Sequence, residues 1–197
     1  MEFKLKYAEL FPKVWKALGG IPRTGWVTRG VKNPETVQEH TISCRELVVD
    51  LIDVLTEFSM SDILDILNML EVHDWPETII GDEVIVTYNE IEKAKLKASK
   101  YEREYKAMLE ICSGGVNSLG AQVLSLWIRF ERRQDRKSSF AKQIDIYQSI
   151  EKAWEYQKSG ENVLAQDFID YYRKDITHRF LKEKMLEIEN LNKCPRN

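Results

Sequence analysis

Residues 63–82 read ILDILNMLEVHDWPETIIGD, and the two halves of this stretch follow different rules. In the first half Ile63, Leu64, Ile66, Leu67, Met69, Leu70 and Val72 cover most sides of a helix, the pattern of a central, buried element. Ser61-Asp62 supplies a start signal just before it. Pro76 cannot sit in a helix interior, so the helix should end or kink near Asp74 and a short turn should follow through Glu77. A nearly all-apolar helix therefore ends in an imidazole beside a carboxylate, His73-Asp74, in a chain with three histidines in all.

Outward from this stretch the signals are helical. Tyr7, Leu10, Phe11, Val14, Trp15 and Leu18 form one helix face beginning near Phe3, and GGIP (19–22) stops it. The loop RTGWVTRGVKNPE (23–35) holds Arg23, Trp26, Arg29 and Lys32; TVQE (36–39) then fits a capping box that opens a helix bearing His40, Leu47, Val48, Leu51 and Leu55. GDEVIVTYNE (81–90) is the one strand-like patch, too isolated to build a sheet, and reads as an ordered loop. A charged surface helix spans 89–112, SGGVNS breaks it, and another helix runs over about 119–133. RQDRKSS reads as a basic link, SFAKQIDIYQSIEKAWEYQKS as a helix with Phe140, Ile144, Tyr147 and Trp154 on one side, and 163–192 as a last long helix after SGEN. The expected fold is all-α: one domain over 1–197, a motif core over about 23–156, and a helical extension over about 162–193.

Composition narrows the function. Hydrophobic content of 43% and charged content of 31% describe a globular chain, and a net charge of −3 provides no basic field for nucleic acid. Cys44, Cys112 and Cys194 are widely spaced, in no CxxC pattern, and read as reduced thiols. No signal-like segment or membrane-length apolar run is present, so a cytoplasmic protein without membrane or nucleic-acid partners is expected.

One HD dipeptide is a weak signal; a polar helix end would explain it. Three further observations point to chemistry. His40 lies beside Glu39 on another helix, Glu77 follows Asp74 by three residues, and Asp145 is set between Ile144 and Ile146 in an amphipathic helix. Two imidazoles and two carboxylates from three helices suit a divalent transition metal, and helical bundles commonly house such sites.

The order His40, His73-Asp74, Asp145 resembles the HD-domain metal-dependent phosphohydrolases. The words RTGWVTRGVKNPETVQEH, HDWPETIIGD and KQIDIYQSIEKAWEY resemble the small 5'-deoxynucleotidases of that family, the group called HD-domain-containing protein 2. The resemblance covers about residues 23–156. It implies metal ligation by His40, His73, Asp74 and Asp145, with Glu77 and Asp82 beside the scissile phosphate and Trp26 packing on the sugar. It also implies a homodimer. The bacterial enzymes carry a phosphate-orienting arginine directly before this tryptophan; here Gly25 stands there, so Arg23 and then Arg29 are the candidates for phosphate capture.

The implied activity is removal of the 5'-phosphate from (deoxy)nucleoside monophosphates by a metal-activated water, with Glu77 or Asp82 positioning the water or protonating the leaving oxygen. Mixed imidazole and carboxylate ligands with this resemblance favour manganese or cobalt; iron, nickel and zinc are compatible. Rival readings are a nucleotide triphosphohydrolase or phosphodiesterase on the same scaffold, and a non-catalytic metal- and nucleotide-binding module. Individually, Trp26 also reads as a loop plug, Asp82 as a turn residue, Glu77 as a helix cap, Arg29 as a solvated charge and His178 as a surface group.

Overall fold

The computed structural model of the protein describes residues 4–87, 89–113 and 117–193. Among these it contains helices α1 (Lys6–Leu10), α2 (Pro12–Leu18), α3 (Thr24–Val27), α4 (Val37–Asp50), α5 (Met60–Val72) and α6 (Glu77–Ile80). These are followed by α7 (Glu90–Ser113), α8 (Asn117–Arg132), α9 (Arg136–Lys158), α10 (Ala165–Tyr172) and α11 (Arg179–Lys193). The fold is all-α; no strand occurs among the described residues, whose one β-bridge joins Pro22 to Thr36. No described helix is long and apolar enough to cross a membrane.

The apolar helix takes the central place its sequence demands. α5 packs against α1, α4, α8 and α9, and Ile66, Leu67, Met69, Leu70 and Val72 are all buried. Its start lies earlier than Ser61. The Ser59 hydroxyl accepts the Asp62 N–H while the Asp62 carboxylate accepts the Ser59 N–H, a reciprocal cap that satisfies two otherwise orphaned donors. The TVQE cap on α4 forms as expected, Thr36 pairing with Glu39 in the same way.

Further boundaries differ from the sequence pattern, and α4 ends at Asp50, short of Leu55. Pro12 splits the first helix in two: it opens α2 at a position where a missing N–H costs little, and Phe11 leaves helical geometry. The loop after Pro22 contains the short turn α3, which carries Trp26. RQDRKSS is a helix start as well as a link, because Asp135 accepts the Ser138 N–H and caps α9. The last helix is two helices. Residues 173–178 leave the helix so that Ile176 becomes fully buried, and the Gln143 side-chain oxygen on α9 accepts the N–H groups of Thr177 and His178. Residues 114–116 of SGGVNS, together with Phe3 and Cys194, lie outside the described residues.

The amino-terminal segment is held by one buried acid. α1 has no side-chain cap of its own. Glu71, fully buried on α5, accepts the N–H groups of Lys6 (3.1 Å), Tyr7 (2.6 Å) and Ala8 (2.7 Å) and pairs with Arg45 at 3.3 Å. Burial pushes the Glu71 carboxyl upward, opposed by these N–H groups and by Arg45. Glu71→Ala should therefore cost about 3–5 kcal/mol in urea denaturation, the range for removing one partner of a buried charge pair. A loss below about 1 kcal/mol would mean that the segment is anchored by its apolar contacts instead.

Candidate metal centre

Local sequence sets the direction of each donor. The bridge between Pro22 and Thr36, with Arg23 N–H to the Glu35 carbonyl at 2.9 Å, staples the 23–35 loop at its base. The capping box then starts α4 so that His40 lies in its first turn, wholly buried. α5 ends at Val72 with His73 as its C-cap, and Trp75, fully buried against Phe11 at 5.2 Å, pins the turn that Pro76 begins. From α9, Asp145 points inward.

These side chains converge. His40 Nε2 lies 3.0 Å from Asp145 Oδ1 and 3.8 Å from Asp74 Oδ2; His73 Nε2 lies 3.1 Å from Asp74 Oδ2 and 3.8 Å from Asp145 Oδ1. Nitrogen and oxygen thus alternate around a closed four-membered ring of donors. A cation bonded at about 2.0–2.2 Å holds adjacent ligand atoms about 3 Å apart, the scale seen here.

The ring nitrogens favour a cation between them. His73 Nδ1 faces the Leu70 carbonyl at 2.6 Å and must donate to it. His40 Nδ1 faces the Gln148 side-chain oxygen at 2.6 Å, and the Gln148 amide is oriented by donating to Glu35 Oε2 at 3.1 Å. In each neutral ring Nε2 is then a lone pair aimed at carboxylate oxygens, and that of His40 also has the Cys44 thiol, 3.6 Å away, as a weak donor. His73 Nε2, though only 3.1 Å from Asp74, is not aligned for a hydrogen bond and is a buried polar atom without a partner. Acceptor against acceptor in a buried site is costly unless a positive charge intervenes. The donor set fits a divalent transition metal, and the shells behind both histidines resemble those that orient metal ligands.

The charges around the ring are unequal. Burial opposes the ionised form of Asp74, but His73, Arg23 and His40 outweigh it and hold the carboxyl well below its usual range. For Asp145, burial is likewise outweighed, by Lys142, His40 and His73. Burial works against the positive charge of His73, yet Asp74 and Asp145 raise its pKa. Glu77 moves the other way: burial, with Asp74 and Asp82 nearby, pushes its carboxyl well above the ordinary range, and its Oε2 is buried without a hydrogen-bond partner.

Arg23 reaches the centre, its Nη1 lying 2.9 Å from Asp74 Oδ2. Asp82 caps α3: its Oδ2 accepts the Thr24 N–H at 2.5 Å and its carbonyl accepts the Thr24 hydroxyl at 2.7 Å. Trp26 is buried, stacked on Phe168 and edge-on to Tyr156, with its N–H given to Glu35 Oε1 at 2.9 Å. Arg29 lies over the Phe168 ring and donates to the Gly25 carbonyl. His178 is outside the cluster, bonded to Glu57 at 2.6 Å and packed on Phe140.

Two residues absent from the sequence reading also touch the centre. Gln148 orients His40, and the Lys142 ammonium lies 2.7 Å from Asp145 Oδ2. Both were signalled by spacing, since 142, 145 and 148 share one face of α9 at three-residue steps. Glu35, which joins Gln148 to Trp26, left no comparable pattern.

Residues 16–188 match the HD domain family, and the chain belongs to that family. It is 29% identical over 191 residues to a Dictyostelium discoideum protein named 5'-deoxynucleotidase HDDC2, covering 93% of this chain and 97% of that one. A Danio rerio protein of the same name is 32% identical, over 80% of this chain and 74% of its own length. A conserved hypothetical protein from Pyrococcus furiosus shares the fold at a TM-score of 0.69 and 24% identity, over 91% and 98% of the two chains. A Magnetospirillum magnetotacticum protein titled predicted metal-dependent phosphohydrolase does so at 0.67 and 19%, over 96% of each.

Orientation of His40 through Gln148 has a measurable consequence. Gln148→Leu should weaken Mn²⁺ binding roughly tenfold to a hundredfold in competition with a chromophoric chelator, the usual effect of losing such a partner. Unchanged affinity would show that the imidazole is held by packing alone.

Proposed function

We propose that this HD-domain chain is a divalent-metal-dependent phosphohydrolase that removes the 5'-phosphate of deoxynucleoside monophosphates. The observation that carries the reading is the closed ring of His40, His73, Asp74 and Asp145 donors, with both Nδ1 positions already committed elsewhere. The names borne by the relatives support the substrate class. The mixed imidazole and carboxylate set supports manganese or cobalt as the metal.

A phosphate monoester resists attack because its own oxygens repel a nucleophile. A divalent cation held by His40, His73, Asp74 and Asp145 would offset that charge and would supply an acidified water near neutral pH. The chain's residues supply the rest. His40 and His73 present fixed lone pairs, and the full burial of both rings keeps bulk water away from that side. Arg23, whose positive charge is held against burial by Asp74, Glu77, Asp82 and Asp145, offers its remaining N–H donors to the phosphoryl oxygens. Glu77, whose carboxyl is pushed upward by burial and by Asp74, is the group proposed to give a proton to the departing 5' oxygen. Asp82 is the second carboxyl of the pair, and through Thr24 it fixes the turn that carries Arg23. Trp26, buried against Phe168 and Tyr156, packs behind that turn, so its proposed part in discrimination against a 2'-hydroxyl is to hold the turn in place, and the sugar contact implied by the resemblance is not open to it.

Protein stripped of metal should release no orthophosphate from a panel of deoxynucleoside monophosphates until Mn²⁺ or Co²⁺ is restored, and Asp74→Ala should stay inactive under both conditions. Release of triphosphate from nucleoside triphosphates instead would reassign the substrate. Glu77→Gln should lower kcat by roughly 10²–10⁴ while nucleotide affinity, measured calorimetrically, stays within a few-fold. A variant with full turnover would remove Glu77 from proton transfer.

A further inference from the structure

The solvent side of the centre differs chemically from its buried side. The two imidazole side chains have no exposure, whereas Asp74 and Asp145 are 16% and 11% exposed and the cations paired with them, Arg23 and Lys142, 18% and 26%. Each carboxylate in the ring thus carries its own cation on the open side. Arg23 was expected there from the sequence; Lys142 was not.

Lys142 is held in place. Its Nζ lies 2.7 Å from Asp145 Oδ2, the oxygen turned away from the imidazoles, and 4.9 Å above the ring of Phe130, which itself packs on His73 at 4.9 Å. An ammonium has three donors, and the one given to Asp145 leaves two. Burial works against its positive charge, and Asp145, Glu131 and Asp74 act in its favour and raise its pKa.

Charge balance explains why a second cation belongs here. Asp74 and Asp145 contribute two negative charges, which a divalent cation cancels. A phosphate monoester dianion then brings two more, and Arg23 alone neutralises one of them. Lys142 supplies the other from the opposite carboxylate. In a largely desolvated site an uncompensated charge is expensive, so this balance bears directly on affinity.

We propose that Lys142 is a phosphate-binding residue that grips the phosphoryl group opposite Arg23, a role that rests on the phosphohydrolase reading. By holding Asp145 through Oδ2, the same ammonium leaves Oδ1 free to face the imidazoles. The alternative role is purely that support of Asp145, and the two separate experimentally.

The test uses Mn²⁺-saturated full-length protein and inorganic phosphate as the probe, with KM and kcat measured on dAMP. Lys142→Met should weaken phosphate binding in calorimetry and raise KM by roughly tenfold to a hundredfold, the effect of losing one charge-assisted contact. Mn²⁺ affinity should stay within about threefold, and Lys142→Arg should recover much of the phosphate binding. Lys142→Gln serves in place of the methionine variant if the latter fails to fold. Phosphate affinity and KM unchanged in the charge-removing variant, or a loss of Mn²⁺ affinity with phosphate binding intact at saturating metal, would overturn the proposal. Parent protein that binds phosphate through Lys142 but turns over no nucleoside monophosphate would leave the proposal standing and remove the hydrolase reading. Normal turnover with a Lys142→Met variant indistinguishable from the parent would do the reverse.

Discussion

Four lone-pair donors from three segments of chain are held so that each lies within 3.8 Å of two others, in a place where water does not reach the imidazoles. With its Nδ1 proton given to the Leu70 carbonyl, a neutral His73 has none left for the carboxylates, while His40 Nε2 has the Cys44 thiol, 3.6 Å away, as a weak donor. The surrounding helices hold an electrostatic conflict that a cation resolves, and the remaining features of the site follow from it. The Asp74 and Asp145 carboxyls are pushed downward and that of Glu77 upward, and positive side chains gather on the open side.

Holding that conflict requires rigidity at a distance. α5 is fixed on several sides by other helices and ends where Trp75 and Pro76 leave little freedom, so His73 and Asp74 cannot drift apart. His40 is held from behind by a line of buried polar groups running through Gln148 and Glu35 to Trp26. Trp26 belongs to the same turn as Arg23, so one hydrogen-bonded line joins the His40 imidazole to the turn that bears the Arg23 guanidinium. Trp26 therefore serves as a structural member of the site, and its buried N–H explains why a tryptophan suits this turn.

The acid–base asymmetry has a simple origin. Glu77 and Asp74 are three residues apart, yet one is driven towards the neutral form and the other towards the charged form. Asp74 meets His73, Arg23 and His40; Glu77 meets burial and two other carboxylates, with Arg23 and Lys100 too weak an offset. Neighbouring carboxyls pushed in opposite directions by their surroundings can divide the roles of ligand and proton carrier.

Much of this was written locally. The apolar run of α5, the Thr36 capping box, the end at Pro76 and the candidate residues His40, His73, Asp74, Glu77 and Asp145 are legible in the sequence, because periodicity, caps and motif order are properties of nearby residues. The groups that complete the structure were not legible. Glu71 looks like any helix-surface acid until α1 is laid across it, and Gln143 looks solvated until residues 177 and 178 end a helix on it. Lys142 and Gln148 sit at telling spacings from Asp145, but polar residues on an amphipathic helix gain meaning only when the face they share is known to be buried. Local sequence determined the helices and the kinds of ligand. Tertiary packing alone decided which lone pairs face each other and which charges stand beside them, because those energies depend on distances between residues about a hundred positions apart in the chain.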